Sequence, residues 1–175
     1  MHTPPIEPIY VISLEEIFWG GILVAITMAI HGFGMLMVLR LNRSIKLKLE
    51  SKKTLMSGLI PLIFASCMIM VVHLTEVMVW AAFFLWKGAF PNASTSFYFA
   101  LNEYTTVGSK FNLPLNWRLL EGIIASAGLL AFAISTGILF GQAKTFLEQP
   151  IELSVRRHKH SKTIVNPAGK KEEET

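Results

Sequence analysis

Charge constrains this chain more than any other feature: it is nearly missing from three long stretches and crowded into the segments around them. From Ile17 to Leu39 run 23 residues without a formal charge. At about 1.5 Å per helical residue that run reaches about 34 Å, enough to cross a hydrocarbon core of about 30 Å. A second apolar stretch, 55–86, is interrupted only by His73 and Glu76, and a third, 119–146, carries Glu121 near its start. Both are long enough to span with some tilt. Only 16% of the residues are charged, against about 25% in an ordinary soluble domain. The expectation is an all-α membrane protein with three transmembrane helices. The first span is too long for the apolar region of a secretory signal and has no basic segment before it, so it is expected to stay in the mature chain. Cys67 is the single cysteine, which excludes an intrachain disulfide.

Orientation follows from lysine and arginine beside the spans. Arg40, Arg43, Lys46, Lys48, Lys52 and Lys53 lie between the first and second spans, opposed only by Glu50, and Lys144, Arg156, Arg157, Lys159 and Lys162 end or follow the third. These regions belong in the cytoplasm. The N-terminal segment carries Glu7, Glu15 and Glu16 without a basic residue, so a cell-membrane protein with its N-terminus outside and its C-terminus cytoplasmic is expected. An odd number of spans puts the termini on opposite sides, in agreement. Trp19, Trp80, Trp86 and Trp117 fall near the proposed membrane borders, where amphipathic rings are favoured. The basic loop is explained by topology, and no nucleic-acid partner is expected. The division is then 1–16 as an extracytoplasmic segment, 17–39 as the first transmembrane helix, 40–54 as a basic cytoplasmic loop, 55–146 as a membrane module, and 147–175 as a largely disordered tail.

The connection between the second and third spans has its own pattern. Gly88 and Pro91 break a helix, and Asn92 or Ser94 can cap a new one. The body that follows, Phe97 to Tyr104, is too short to cross a membrane and is expected to re-enter from outside and stop partway. Non-helical backbone at that depth is tolerated only where protein or a water-filled cavity surrounds it. Next come Thr105-Thr106-Val107-Gly108-Ser109 and Lys110.

This order of outer helix (55–86), Gly/Pro break, short helix ending in Tyr-Thr-Thr-Val-Gly (93–110 with its loop) and inner helix (117–146) resembles the pore domain of potassium channels. It is closest in pattern to small bacterial members with one extra helix in front. His73-Leu74-x-Glu76, Trp80, Tyr98-Phe99, Trp117-Arg118-Leu119-Leu120 and Gly128-Leu129-Leu130-x-Phe132-x-x-Ser135-Thr136 look similar at matching spacing. The resemblance covers residues 70–142. It implies a homotetramer in the lipid bilayer, with other membrane subunits as further partners, and a selectivity filter made by Thr105, Thr106, Val107, Gly108 and Ser109. In that family four copies of a T-V-G-Y-G loop aim backbone carbonyls at the axis and replace the water around potassium. Here Ser109 stands where the family has Tyr, and Lys110, at the filter mouth, stands where it has Gly. Four ammonium groups about 10 Å from the axis at an effective dielectric of about 20 would each oppose a potassium ion by roughly 1.7 kcal/mol, together roughly 6–7 kcal/mol before screening. The expected function is therefore ion channel-like with potassium selectivity in question, and the alternative is a nonconducting pore-fold scaffold or sensor subunit.

Polar residues inside the spans are the remaining candidates. Glu76 is costly in hydrocarbon and so marks a functional position, and His73 lies three residues earlier on the same helical face. The pair is expected to support the pore by bracing the outer helix. Gly128 and Gly137 are candidate hinges of the inner helix. His31 and His73, each near mid-span, also raise a remote alternative, a haem-binding membrane anchor with two axial histidines; otherwise no cofactor or metal is expected beyond a permeant ion. No nucleotide-binding glycine loop, zinc pattern or placed nucleophile with a base occurs, and no enzyme is expected.

Overall fold

The computed structural model describes residues 10–49 and 55–165, with side chains over 10–49 and 59–144. The described residues are helical: α1 spans Leu14–Leu49, α2 Leu55–Trp86, α3 Ala93–Tyr104, and α4 Leu119–Val165 after a short 3₁₀ turn at Leu115–Trp117. Three helices are long and apolar enough to cross a membrane, over Leu14–Leu49, Leu59–Trp86 and Leu115–Lys144.

Two helices run further than the charge-free stretches predict. α1 begins before residue 17 and continues through Arg40, Arg43, Lys46 and Lys48, so most of the region expected as a basic loop is helical. Lysine and arginine are good helix formers, and between Leu39 and Leu49 there is no glycine or proline to stop the helix. α4 likewise passes residue 146 and carries helix through 147–165, where a disordered tail is expected. Residues 166–175 of that tail lie outside the described residues.

Each long helix buries one seam. On α1 it is Glu16, Gly20, Leu23, Thr27, His31, Met35, Val38 and Asn42, spaced by three and four residues as a helical period requires. Large apolar side chains such as Phe18, Phe33 and Leu36 cover the other faces and stay exposed, as a surface meeting lipid or further protein does. The seams close into two apolar regions. The larger is aromatic and gathers Trp80, Phe83, Phe84, Phe90, Phe99 and Trp117 around α3; the smaller joins Met35, Val38, Ala65 and Ile69. Trp80 is therefore a core residue, fully buried, and not a border anchor. Trp19, Trp86 and Trp117 instead surround the Lys87 ammonium, which lies 4.6, 4.8 and 4.9 Å from their ring centroids and 3.2 Å from Glu15.

The helix starts are fixed by side chains. At α1 the Ser13 hydroxyl accepts from the Glu16 N–H at 3.1 Å, while the Glu16 carboxylate accepts from the Ser13 N–H at 3.0 Å, a reciprocal capping box. The second oxygen of the same carboxylate accepts from the N–H of Leu119, the first residue of α4, at 2.9 Å. Asn92 caps α3 by accepting from the Thr95 N–H at 2.8 Å. The Ser96 hydroxyl donates to the Ala81 carbonyl at 2.6 Å and pins α3 to α2.

The far end of α3 is seated on a glycine. A β-carbon at Gly128 would lie 1.9 Å from the Tyr104 carbonyl oxygen, whereas at Gly122 and Gly137 it would meet nothing within 4 Å. Close approach of backbone to backbone thus requires glycine at 128, and packing makes no such demand at 137. Gly128→Ala is expected to destabilise the fold by about 1–3 kcal/mol through overpacking, while Gly122→Ala is neutral or stabilises by up to about 1 kcal/mol from helix propensity. Thermal unfolding of the two variants in detergent measures the contrast.

Candidate functional site

Between the two apolar regions lies a polar layer. It is made by His31 on α1, His73 and Glu76 on α2, Tyr104 at the end of α3 and Ser135 on α4, all at most 5% exposed. A carboxylate can only accept hydrogen bonds, so His31 Nδ1–H donates to Glu76 Oε1, at 2.8 Å. The Tyr104 hydroxyl donates to the other oxygen, Oε2. His73 Nδ1 stands 3.1 Å from the Tyr104 oxygen and His73 Nε2 stands 3.0 Å from the Ser135 hydroxyl, which also lies 3.5 Å from His31 Nε2. Four helices thus meet in one hydrogen-bonded network.

The local spacing of His73 and Glu76 suggests a direct bond between them, but their nearest nitrogen and oxygen are 3.8 Å apart. Tyr104 bridges them, and the direct partner of Glu76 is His31, 45 residues away in the chain. Tyr104 and Ser135 are the members of the layer that the sequence does not single out as buried polar partners. A tyrosine closing a short amphipathic helix and a serine in an apolar span are weak signals alone, since either is satisfied by backbone or water. The haem alternative does not fit. The His31 and His73 rings lie 5.4 Å apart, centroid to centroid, and share Ser135 and the Glu76–Tyr104 pair as neighbours. A porphyrin plate has no room between them.

Immediately after Tyr104 the chain turns back on α3. The Thr106 N–H donates to the Glu103 carbonyl at 2.9 Å, Val107 and Gly108 both donate to the Asn102 carbonyl at 3.0 and 3.2 Å, and Ser109 donates to the Glu103 carboxylate at 2.8 Å. Thr106 and Gly108 hold φ of 60° and 80°. Left-handed conformations of this kind, set among ordinary ones, bring successive N–H groups to one side. Across a trans peptide the preceding carbonyl points opposite to the N–H. The carbonyls of Thr105, Thr106, Val107 and Gly108 therefore all face away from α3. Val107 is 76% exposed, although it is an apolar residue next to a packed core. Lys110 is also exposed, with its ammonium 5.4 Å from the centroid of Phe111, whose ring in turn meets Tyr98 edge-on at 6.1 Å.

Protein-family models, curated proteins and solved structures give no match to this chain.

Glu103 supplies a test of the turn, because its carboxylate accepts from the Ser109 N–H at 2.8 Å. Glu103→Ala removes that acceptor and is expected to destabilise the fold by about 1–2 kcal/mol. Thermal unfolding in detergent, native against variant, measures the loss.

Proposed function

We propose that this chain is the pore-forming subunit of a homotetrameric cation channel of the potassium-channel type, with Thr105, Thr106, Val107, Gly108 and Ser109 as its filter. The observation that carries the reading is the row of four consecutive carbonyls turned away from α3. A cation leaving water needs several oxygens around it, and four chains arranged around an axis supply four rings of them. Exposed Val107 in the single chain is consistent with a surface that symmetry mates cover.

Depth supports the same reading. Tyr104 bonds to Glu76 and abuts Gly128, ten residues from the end of α2 and nine from the start of α4. Each offset is about 14–15 Å of helix, half of a hydrocarbon core of about 30 Å. α3 then re-enters from the side of the N-terminus, which the charge bias puts outside the cell, and ends near the bilayer centre. The negative end of its dipole favours a cation there. α4 is the inner helix of the pore. The Lys110 ammonium is exposed, 5.4 Å from the Phe111 ring centroid, and water and salt around it bring the repulsion of four lysines below its unscreened value. With Ser109 in place of the family's Tyr, the filter prefers potassium over sodium only weakly.

Flux of potassium and sodium into liposomes carrying the purified protein tests this. The native protein is expected to pass both ions with potassium ahead, and Lys110→Gly to raise the rate several-fold. The Ser109→Tyr, Lys110→Gly double change is expected to sharpen the preference for potassium. Gly108→Ala, which forces a β-carbon into a backbone at φ 80°, abolishes flux. Folded tetramers in which only the double change conducts would make the natural protein a scaffold or sensor. Failure to form tetramers would overturn the pore altogether.

A further inference from the structure

We propose that the buried polar layer is a divalent transition-metal site, filled by zinc through His31, His73, Glu76 and Tyr104. The inference is independent of ion conduction, because it rests on the side chains between the helices and not on the loop after α3.

The donors already converge. Nδ1 of both imidazoles faces the Glu76 carboxylate, His31 at 2.8 Å from Oε1 and His73 at 3.8 Å from Oε2, and one ligand atom from each of the three residues falls within 4.8 Å of the others. A tetrahedral zinc site with bonds of about 2.0–2.1 Å has ligand-to-ligand edges of about 3.3 Å. The two nitrogen–oxygen distances run to the two different oxygens of Glu76 and bracket that value, so side-chain rotation is needed to bring both nitrogens to one carboxylate oxygen. The Tyr104 oxygen, 3.1 Å from His73 Nδ1 and bonded to Glu76, occupies the fourth corner. A set of two imidazoles and two anionic oxygens suits zinc and not calcium or magnesium, which take oxygen alone.

The second layer of contacts is also in place. Histidines that bind a metal through one nitrogen hold the other N–H on an acceptor. The Ser135 hydroxyl lies 3.0 Å from Nε2 of His73 and 3.5 Å from Nε2 of His31, and its two lone pairs can take both. Binding through Nδ1 requires each neutral ring to carry its proton on Nε2, and it releases the Tyr104 proton to solvent, one proton per ion.

Charge argues for the ion. A carboxylate inside an apolar bundle is costly unless a cation or strong donors meet it. A zinc ion with one carboxylate, one phenolate and two neutral imidazoles is a neutral unit. It ties α1 and α2 to the last residue of α3 through bonds stronger than the hydrogen bonds they replace.

The test uses the full-length protein, purified in detergent with any purification tag removed, stripped with chelator and reloaded. Zinc content by elemental analysis is expected to approach about one ion per chain, with a rise in unfolding temperature, and cobalt(II) is expected to give the visible bands of a tetrahedral site. His31→Gln and His73→Gln, which keep hydrogen bonding but remove the ligand, should lose the ion. Ser135→Ala leaves every ligand intact and should weaken zinc about 10- to 100-fold, which keeps the test decisive if a histidine variant fails to fold. Native protein that takes up no zinc and shows no cobalt bands, or uptake unchanged in folded His31→Gln and Ser135→Ala, overturns the site and leaves a hydrogen-bonded brace. Either result is read without measuring ion flux.

Discussion

A phenol donating to a carboxylate in the middle of an apolar bundle is the contact that lets a short helix end there. The last carbonyls of any helix lack partners within it, and in a low-dielectric interior that is expensive. α3 meets the demand at Leu101, Asn102 and Glu103, whose carbonyls receive the N–H groups of the turn that follows. Its last side chain, Tyr104, engages Glu76 and anchors that turn. Without Glu76 the His31 Nδ1–H would be left unmatched, at a cost of about 1–3 kcal/mol, and the phenol would keep only His73. The turn, the docking of Tyr104 on Gly128 and the joining of four helices all hang on that pair.

On either side of this layer the packing differs. Toward Lys87 the bundle is wide, because α3 sits among the long helices and rings such as Phe84, Phe90 and Phe99 fill the space, with Phe84 and Phe99 edge-on at 5.4 Å. Beyond the layer α3 is absent and aliphatic residues close the gap between α1 and α2. Further along, Asn42 and Gln142 share a hydrogen bond, while Asn42 Oδ1 and Gln142 Nε2 are buried with no hydrogen-bond partner among the described residues. One half of the molecule is thus built to be rigid and the other is sparsely held.

What the sequence reveals follows from how local each signal is. Three spanning helices are legible because a run without charge is a local property, and the α3 start is legible because Gly88, Pro91 and Asn92 act within a few residues. The ends of α1 and α4 are not, since Arg40 to Lys48 change the solvent preference of a helix without breaking it. The Ser13-x-x-Glu16 box is readable as a cap and marks the true start of α1, but nothing in it announces Leu119 as a second client. The polar layer is the least legible. His73 and Glu76 suggest each other by spacing, whereas the contacts that form depend on residues 28 and 45 positions from Glu76. The carbonyl row rests on backbone torsions at Thr106 and Gly108, of which only the glycine advertises itself.

Glu16 has a mechanical side. One buried carboxylate holds the first turns of α1 and α4 together, so these two rods are joined at one tip. From Leu119 to Gln142 is about 35 Å of helix, and at that distance a tilt of about 5° displaces the far end by about 3 Å. Rocking α4 against α1 therefore leaves the joint nearly still and moves the far end most, where Asn42 and Gln142 share a hydrogen bond beside the packing of Ile138 and Leu139 on the smaller apolar region. The two helices work like tongs whose pivot is one carboxylate between two helix ends.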